Sequence, residues 1–320
     1  HAHCQLVLDQ GNRASGPNDF GRSGWGGRLA SAAGGNVLSL TRRPRPFCYG
    51  PHPTDPNSYD NANVVAAADS RRIRLFTADG EPSSSNRARI TRSLESYYAA
   101  KRTEIAPSSI YARFFQHEQI LREIGGPLDE RLQGIPIPAS IEALEDGGLN
   151  ERYTGRQIRN LYDTLAASDI LNLRVASLEV LNWDSHRMQR DMIEPKLEDL
   201  FGRGKALDTL ISELPPSVTD NLVFVLSGEF GRQLVANGDN GTDHGAGNTM
   251  LVIGNRVAGG VYGDMFPEDE LERLAMPSAD IAGLTEFDHV YGAVCDFVAP
   301  GSAEAVFPQR QGALLESGVD

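Results

Sequence analysis

The sequence contains little of what several large protein classes require. It has three cysteines, Cys4, Cys48 and Cys295, and none of them stands in CxxC spacing. This odd count indicates neither a zinc knuckle nor a disulfide framework, and it allows at most one disulfide. No apolar run approaches the roughly 18 residues that a membrane-spanning helix needs. The sequence therefore predicts a globular protein without a transmembrane segment.

Positive charge is also scarce. The chain has 43 acidic and 30 basic residues, which gives a formal net charge of −13. A negative field of this size repels polyanions, so nucleic acid and anionic membranes are not expected as partners. A length of 320 residues is enough to bury a substantial core, as one large α/β domain or two smaller ones.

Two common catalytic and nucleotide-binding signatures are absent. Ser227 follows an apolar run but does not stand in GxSxG, so no nucleophile elbow is predicted. The glycine-rich stretch at residues 238–247 matches neither GxGxxG nor the Walker pattern. The sequence therefore gives no support for nucleotide binding.

Short apolar, β-branched runs alternate with helical patterns in the second half of the chain. The runs at residues 172–181, 222–226 and 250–253 predict strands. The apolar spacing over residues 193–214 predicts one long helix between the first two strands, kinked near Gly202. This order predicts a βαβ unit whose two strands pair in parallel.

Helices are also predicted in the first half and at the end of the chain. They begin near residues 24–30, near Asn86 and after Pro107, and two more cover residues 151–167 and 287–298. The third of these helices is expected to stop at Gly125-Gly126-Pro127 and to be followed by a surface loop over residues 127–150.

Polar side chains follow the two strands of the predicted βαβ unit. Asp184 and His186 come after the first strand, and Glu229 comes after the second. Because parallel strands end at the same edge of a sheet, we expect these three side chains to emerge together. Asp243 and His244 precede a strand instead, so they reach this edge only if the glycine-rich loop folds back over it.

Two imidazoles and three carboxylates at one sheet edge are suited to a divalent metal such as zinc or manganese. Such a metal polarises a phosphoryl or sulfuryl oxygen, and Arg232 would neutralise an anionic group of the substrate. Simpler interpretations stand beside this one. The aspartates are equally suited to capping turns, the histidines to a hydrogen-bonded surface loop, and Glu229 to an ion pair with Arg232.

The chain begins at His1 without an initiator methionine, which is typical of a processed or trimmed segment. His1, His3 and Asp9 place several metal-ligand types within nine residues. A solvated terminus or a tag remnant explains them equally well.

Three segments resemble, in this order, the motifs of the bacterial "domain of unknown function 1501" family. Members of that family read close to GWDTH, SEFGR and GTDHG, followed by a GGVYGD-like turn. This chain reads NWDSH at 182–186, SGEFGR at 227–232, GTDHG at 241–245 and GGVYGD at 259–264. GWGGRL at 24–29 is similar to the family's GWLGRL, and Ala2-His3 to its SH pair.

The resemblance implies the alkaline phosphatase/sulfatase superfamily and its fold, a three-layer α/β/α sandwich with a mostly parallel central sheet. By analogy, Asp184 and His186 would form one metal-ligand segment, Glu229 would stand where relatives carry a metal-binding acid after a strand, and His244 where they carry a late metal-binding histidine. Together with the reasoning from the residues, this predicts a divalent metal, namely zinc, manganese or calcium, bound by Asp184, His186, Glu229, Asp243 and His244. Arg232 is the predicted catalytic residue. Ser185 replaces the threonine that is usual in the first motif.

The resemblance also implies how much of the fold this chain contains. Residues 1–320 would be one domain, truncated at its amino terminus, with residues 80–150 as a helical insertion. The superfamily's first metal-ligating aspartate and its nucleophile would lie upstream of His1. Many members are exported, which implies a periplasmic or extracellular location.

The expected function is hydrolysis of phosphate or sulfate esters by a metal-dependent enzyme. Its substrate would be a small anionic ester or a sulfated or phosphorylated glycan. The first alternative is a degenerate member that binds an anionic glycan or protein without turnover. The second is a structural α/β domain whose carboxylates bind no metal.

Overall fold

A computed structural model describes most of the chain. The described residues are 5, 8–11, 23–41, 43–52, 54–55, 58–61, 63–66, 68–72, 84–106, 109–147, 149–264, 268, 271–276, 279–281 and 285–307. His1, His3 and Cys4, which the sequence singles out, lie outside them.

The described part of the chain is a mixture of helices and strands. The helices are α1 (Trp25–Ala32), α2 (Asn86–Glu104), α3 (Ile110–Gln133), α4 (Ala139–Ala143), α5 (Leu149–Ala166), α6 (Ser168–Leu171), α7 (Gln189–Phe201), α8 (Ala206–Glu213), α9 (Pro216–Thr219), α10 (Leu271–Leu274), α11 (Phe287–Val298) and α12 (Ala303–Val306). The strands are β1 (Asn36–Ser39), β2 (Gly50–Pro51), β3 (Tyr59–Asp60), β4 (Val64–Ala66), β5 (Leu173–Ser177), β6 (Phe224–Ser227), β7 (Gly231–Ala236), β8 (Thr242–Gly245) and β9 (Met250–Ile253). The expected α/β class is therefore confirmed.

The strands form one parallel sheet and several antiparallel pairs. β1 pairs in parallel with β4 on one side and with β5 on the other, so the strand order is β4-β1-β5. β6 pairs with β9, and β7 pairs with β8, each in antiparallel orientation.

The predicted parallel pairing between β5 and β6 does not occur in the described ladders. β5 pairs with β1, which lies more than a hundred residues earlier, and β6 pairs with the later strand β9. The sequence pattern identified each strand, but a short apolar run carries no information about which neighbour completes its ladder. Tertiary packing determines which strands pair.

Successive residues of the strands pack into different hydrophobic clusters. Leu38 of β1 and Ala176 of β5 pack into the largest cluster, together with apolar residues of α5 and α8. Val37 and Val175, one position earlier on each strand, pack instead in clusters that contain residues of α1. This alternation is expected where a strand is buried on both faces. β6 alternates in the same way.

The stop predicted for α3 was wrong, because the helix continues through Pro127 to Gln133. An interior proline costs about 3 kcal/mol of helix stability. Leu128 and Leu132, however, are only 1% and 3% exposed and lie in the largest cluster. Burial of one leucine contributes about 1.5–3 kcal/mol, so the two leucines together outweigh the proline.

The helix predicted over residues 193–214 is two helices, α7 and α8. Gly202 ends α7 in an extended conformation, and Gly204 has a φ of +71°. Neither an extended residue nor a left-handed one continues a helix, so these two glycines separate the two segments instead of kinking one.

Residues 80–150 were predicted to be a helical insertion, and their described part contains α2, α3 and α4. Glu118 of α3 is buried and forms ion pairs with Arg102 of α2 and with Arg122. The ion pair with Arg102 holds α2 against α3, whereas the one with Arg122 lies within α3. That the segment is an insertion within a larger domain stays a prediction.

Two further sequence expectations concern the described residues. Among them, no helix combines the length and the apolar character required to cross a membrane. Cys48 and Cys295 are buried cysteines that lie in different clusters, and they form no disulfide with each other.

Candidate metal centre

Asp184, His186 and His244 converge in space, and we call these three residues the ligand group. Oδ1 of Asp184 lies 3.1 Å from Nε2 of His186 and 3.0 Å from Nε2 of His244. The two Nε2 atoms lie 3.1 Å from each other. Three metal-ligand atoms of the types that bind divalent cations therefore stand at the corners of a nearly equilateral triangle.

Two different elements supply the ligand group. Asp184 and His186 lie in the loop that follows β5, as the carboxyl-edge argument expected. His244 lies on β8, where it pairs with Arg232 of the adjacent strand β7. The loop between these strands does fold back, because β7 and β8 form an antiparallel hairpin that carries His244 to the loop after β5.

The turn of this hairpin is attached to the loop that contains His186. The backbone N–H groups of Met188 and Gln189 donate to the carbonyl oxygens of Asp239 and Asn240, at 3.0 and 2.9 Å. A Cβ on Gly241 would lie 2.2 Å from the carbonyl oxygen of His186, so only glycine allows this approach. The hairpin therefore fixes the position of His186 as well as that of His244.

Asp243 contacts His186 from outside the ligand group. Its Oδ1 lies 3.1 Å from Nδ1 of His186 and accepts a 3.2 Å hydrogen bond from Nδ2 of Asn237. The hydrogen bond from Asn237 and the contact with His186 hold the pKa of the Asp243 carboxyl below its ordinary value. An ionised Asp243 favours the tautomer of His186 that carries its proton on Nδ1. The Nε2 lone pair then faces the other two ligand atoms.

Arg232 lies beside Asp184. Its Nη1 donates to the carbonyl oxygen of Thr242 at 3.1 Å, and its Nη2 lies 3.0 Å from Oδ1 of Asp184. The second contact is an ion pair without hydrogen-bond geometry, so the buried Nη2 donates no hydrogen bond within the described structure. Arg232 therefore compensates the charge of Asp184.

The pKa of Asp184 reflects these neighbours. Partial burial raises the pKa of this carboxyl, but the hydrogen bond with His244 and the charges of His244 and Arg232 outweigh that effect. The net result is a pKa below the ordinary value of aspartate. Asp184 is thus ionised at neutral pH, as a metal ligand must be.

Phe230 packs directly on the ligand group. Its ring stacks on the ring of His244 with a centroid distance of 3.9 Å and an interplanar angle of 26°. The guanidinium carbon of Arg232 lies 5.7 Å from the centre of the same ring. Phe230 stands within the SGEFGR segment, and sequence reasoning gave it no role. Asn237 was also missed, although the turn-forming residues around it were an available signal.

Two further candidate ligands from the sequence, Glu229 and Asp9, are not members of the ligand group. Glu229 follows β6, as the sequence predicts, but its carboxylate is not among the described ligand atoms that lie close together in the ligand group. Asp9 is buried and forms an ion pair with Arg45 at 3.4 Å, which gives its carboxylate a structural partner.

The ligand group suits a divalent metal by its geometry and by its chemistry. Three atoms about 3.1 Å apart leave a common point about 2.1 Å from each of them, which is the usual distance from zinc to nitrogen and oxygen ligands. The side chains of Asp184 and His186 are 38% and 44% exposed, so the site is open to solvent. Three protein ligands and an open side are typical of catalytic metal centres.

Residues 157–273 match the model of the family described as "Protein of unknown function (DUF1501)". The match covers less than half of the chain and supports the resemblance that the motifs indicate. Neither the curated proteins nor the solved structures gave a significant match.

The stretch matched by the DUF1501 model runs from α5 to α10. It contains the ligand group, together with Glu229, Arg232 and Asp243. It does not contain α1, β1 or the helices α2 to α4. The description of the family names no activity, so the function has to be argued from the site.

Proposed function

We propose that this protein is a metal-dependent hydrolase of phosphate or sulfate esters. The observation that carries the proposal is the convergence of Asp184, His186 and His244, with their ligand atoms 3.0–3.1 Å apart, at a solvent-open site. A purely structural role does not explain this arrangement. Two Nε2 atoms and a carboxylate oxygen that lie so close together compete for the same few protons. A bound cation satisfies all three atoms at once.

The donor set favours particular metals. One carboxylate oxygen and two imidazole nitrogens are ligands that zinc and manganese accept. Calcium prefers six to eight oxygen ligands, so it fits this set less well than the other two candidates. Asp243 completes the arrangement, because metal-binding histidines usually pass their second N–H to a carboxylate.

The packing of the strands supports the larger fold that we propose, a three-layer α/β/α sandwich of the alkaline phosphatase/sulfatase type. β1, β5 and β6 send successive side chains to clusters on opposite sides, one with α5 and α8 and the other with α1 and α11. Helices on both faces of a sheet that includes parallel strands are the arrangement that this fold requires.

The residues of the site would have different roles in ester hydrolysis. Asp184, His186 and His244 would hold the metal, and the metal would polarise an ester oxygen and lower the pKa of bound water. Asp243 keeps the proton of His186 on Nδ1. Arg232, which is ion-paired with Asp184, would place a positive charge beside the ligand group that compensates the charge of an anionic substrate.

Two serines in the motif segments, Ser185 and Ser227, are poor nucleophiles. Ser185 stands between two members of the ligand group, but it is 1% exposed and a solvent-borne ester cannot reach its Oγ. The hydroxyl of Ser227 is 2.7 Å from the hydroxyl of Tyr291 and is engaged there. The attacking nucleophile would therefore be water or a group outside the described residues.

The charge of the site favours a small anionic ester or a sulfated or phosphorylated glycan as the substrate. Arg232 supplies a cation within a chain whose net charge of −13 disfavours polyanions such as nucleic acid. The proposed location is periplasmic or extracellular, as the family resemblance implies.

The proposal is tested by metal content and by ester hydrolysis. Purified protein that is equilibrated with zinc or manganese should bind about one metal ion per chain and hydrolyse 4-nitrophenyl phosphate or sulfate. Asp184→Ala and His244→Ala should abolish both. Asp239→Ala is the matched control, since the side chain of Asp239 forms an exposed ion pair with Arg187 beside the site. Metal binding without hydrolysis would favour the non-catalytic binding alternative, and no metal binding would refute the proposal.

A further inference from the structure

We propose that Phe230 is a positioning residue that fixes the imidazole of His244 as a metal ligand, an inference that rests on the proposed metal site. The two histidines of the ligand group are oriented in different ways. Asp243 contacts Nδ1 of His186 at 3.1 Å, which fixes both the ring plane and the tautomer. The ring of His244 lies instead against the face of Phe230, at a centroid distance of 3.9 Å.

The stacking geometry restricts rotation of the His244 ring. With an interplanar angle of 26°, the two rings are close to parallel, and turning the imidazole about its bond to Cβ would drive one edge into the phenyl face. The side chain of His244 is 34% exposed, so solvent on the open side places no steric limit on that rotation. Phe230 supplies the limit from the other side.

Phe230 also supports the group that shares Asp184 with His244. Arg232 and His244 are cross-strand partners in the β7–β8 hairpin. Both reach the same oxygen, Oδ1 of Asp184, at 3.0 Å. Phe230 packs against both, since the Arg232 guanidinium carbon lies 5.7 Å from its ring centre. One aromatic ring therefore aligns two of the three side chains that meet at this oxygen.

The required feature is the flat phenyl ring of Phe230, and an apolar side chain of similar volume would not replace it. Leucine has a similar volume but no flat face, so Phe230→Leu should keep the fold and release the imidazole. Tyrosine keeps the flat face, so Phe230→Tyr should preserve the orientation of His244. Phe114→Leu makes the same chemical change at an exposed aromatic residue on α3, outside the site.

The first measurement is the proton NMR spectrum of the full chain without added metal. Ring protons of His244, assigned by their loss in His244→Gln, should be shifted upfield by the ring current of Phe230. The shift should disappear in Phe230→Leu and persist in Phe230→Tyr and Phe114→Leu. A His244 spectrum that is the same in the unsubstituted protein and in Phe230→Leu overturns the inference.

The second measurement is zinc affinity, determined by competition with a chromophoric chelator. Phe230→Leu should bind zinc about 3- to 10-fold more weakly, while the tyrosine variant and the Phe114 control should match the unsubstituted protein. Phe230→Met is a second variant without a flat face, for use if the leucine variant does not fold.

The outcomes separate the two proposals. Zinc binding by the unsubstituted protein with equal affinity in Phe230→Leu and Phe230→Met overturns the role of Phe230 and leaves the metal site standing. Absence of zinc binding by the unsubstituted protein overturns the proposed function and, with it, the positioning of a metal ligand.

Discussion

Nδ1 of His186 lies 3.1 Å from Oδ1 of Asp243, and this contact decides which nitrogen of the imidazole faces Asp184 and His244. The aspartate acts on the site through the histidine and is not itself in the ligand group. The sequence motif places Asp243 and His244 side by side, and the structure places them at different nitrogens of one imidazole, Asp243 at Nδ1 of His186 and His244 at its Nε2. The two neighbours therefore take different roles.

Asp243→Asn should weaken metal binding without unfolding the protein. Asparagine keeps the shape of the side chain but removes the negative charge that favours the proton on Nδ1 of His186. Loss of such a carboxylate partner typically costs 10- to 100-fold in metal affinity. Zinc titration of Asp243→Asn checks this expectation, with Asp239→Asn as a control that makes the same chemical change at an exposed ion pair. Equal affinities in the two variants would contradict the assigned role.

Gly241→Ala should disturb the ligand group from the backbone side. The added Cβ would lie 2.2 Å from the carbonyl oxygen of His186, a backbone atom that cannot move alone. We expect a loss of about 1–3 kcal/mol in the free energy of unfolding and weaker metal binding. Urea denaturation and zinc titration measure the two effects. Gly259→Ala is the control, because a Cβ at Gly259 meets nothing within 4 Å.

Two glycines with open surroundings should respond to alanine in opposite directions. Gly126 lies within α3 without a positive φ, so Gly126→Ala should stabilise the protein by about 0.5–1 kcal/mol. Gly34 follows α1 with a φ of +65°, so Gly34→Ala should destabilise it by about 1 kcal/mol. Urea midpoints of both variants check the prediction. The same sign for both would show that backbone conformation does not control these positions.

Stability should fall in alkaline solution because two buried acidic groups have raised pKa values. Burial raises the pKa of the Cys48 thiol to about 11 from an ordinary 9.0, and that of the Tyr291 hydroxyl to about 12 from 10.0. The folded state thus holds these protons more tightly than the unfolded state. Their contribution to stability is complete below pH 9 and is lost as the pH rises through 11 and 12.

Urea unfolding between pH 8 and pH 12 tests this dependence. The double variant Cys48→Ala, Tyr291→Phe should show a smaller decline over that interval than the unsubstituted protein. An identical decline in both proteins would mean that other groups cause the alkaline loss. The Tyr291→Phe change also removes the 2.7 Å hydrogen bond with Ser227, so the variant should start from a lower stability at pH 8.

Much of the local structure was predictable. The helix predicted over residues 287–298 and the strand predicted over residues 250–253 coincide with α11 and β9. Each pattern is short-range, since apolar spacing reports which face of an element is buried. The end of α3 was not predictable in this way, because the two leucines beyond Pro127 are held by a cluster of residues distant in sequence.

At the candidate site, too, the sequence predicted part of the arrangement and only the tertiary structure showed the rest. Two motifs placed Asp184, His186 and His244 in separate loops, and a sheet-edge argument gathered only the first two with Glu229. The structure brings His244 into the group through the β7–β8 hairpin and leaves Glu229 out of it. Phe230 received no role from the sequence, because a single phenylalanine beside a strand is indistinguishable from a core residue until its neighbour is known.

The sequence by itself determined the elements and the types of chemical group that the chain offers, because periodicity and residue identity are local properties. Tertiary structure alone decided which strands pair, which three ligand atoms meet within 3.1 Å, and which side chains hold them there. The physical reason is that each of these contacts joins residues far apart in the chain. Their proximity depends on the packing of the whole core and is not encoded in any one segment.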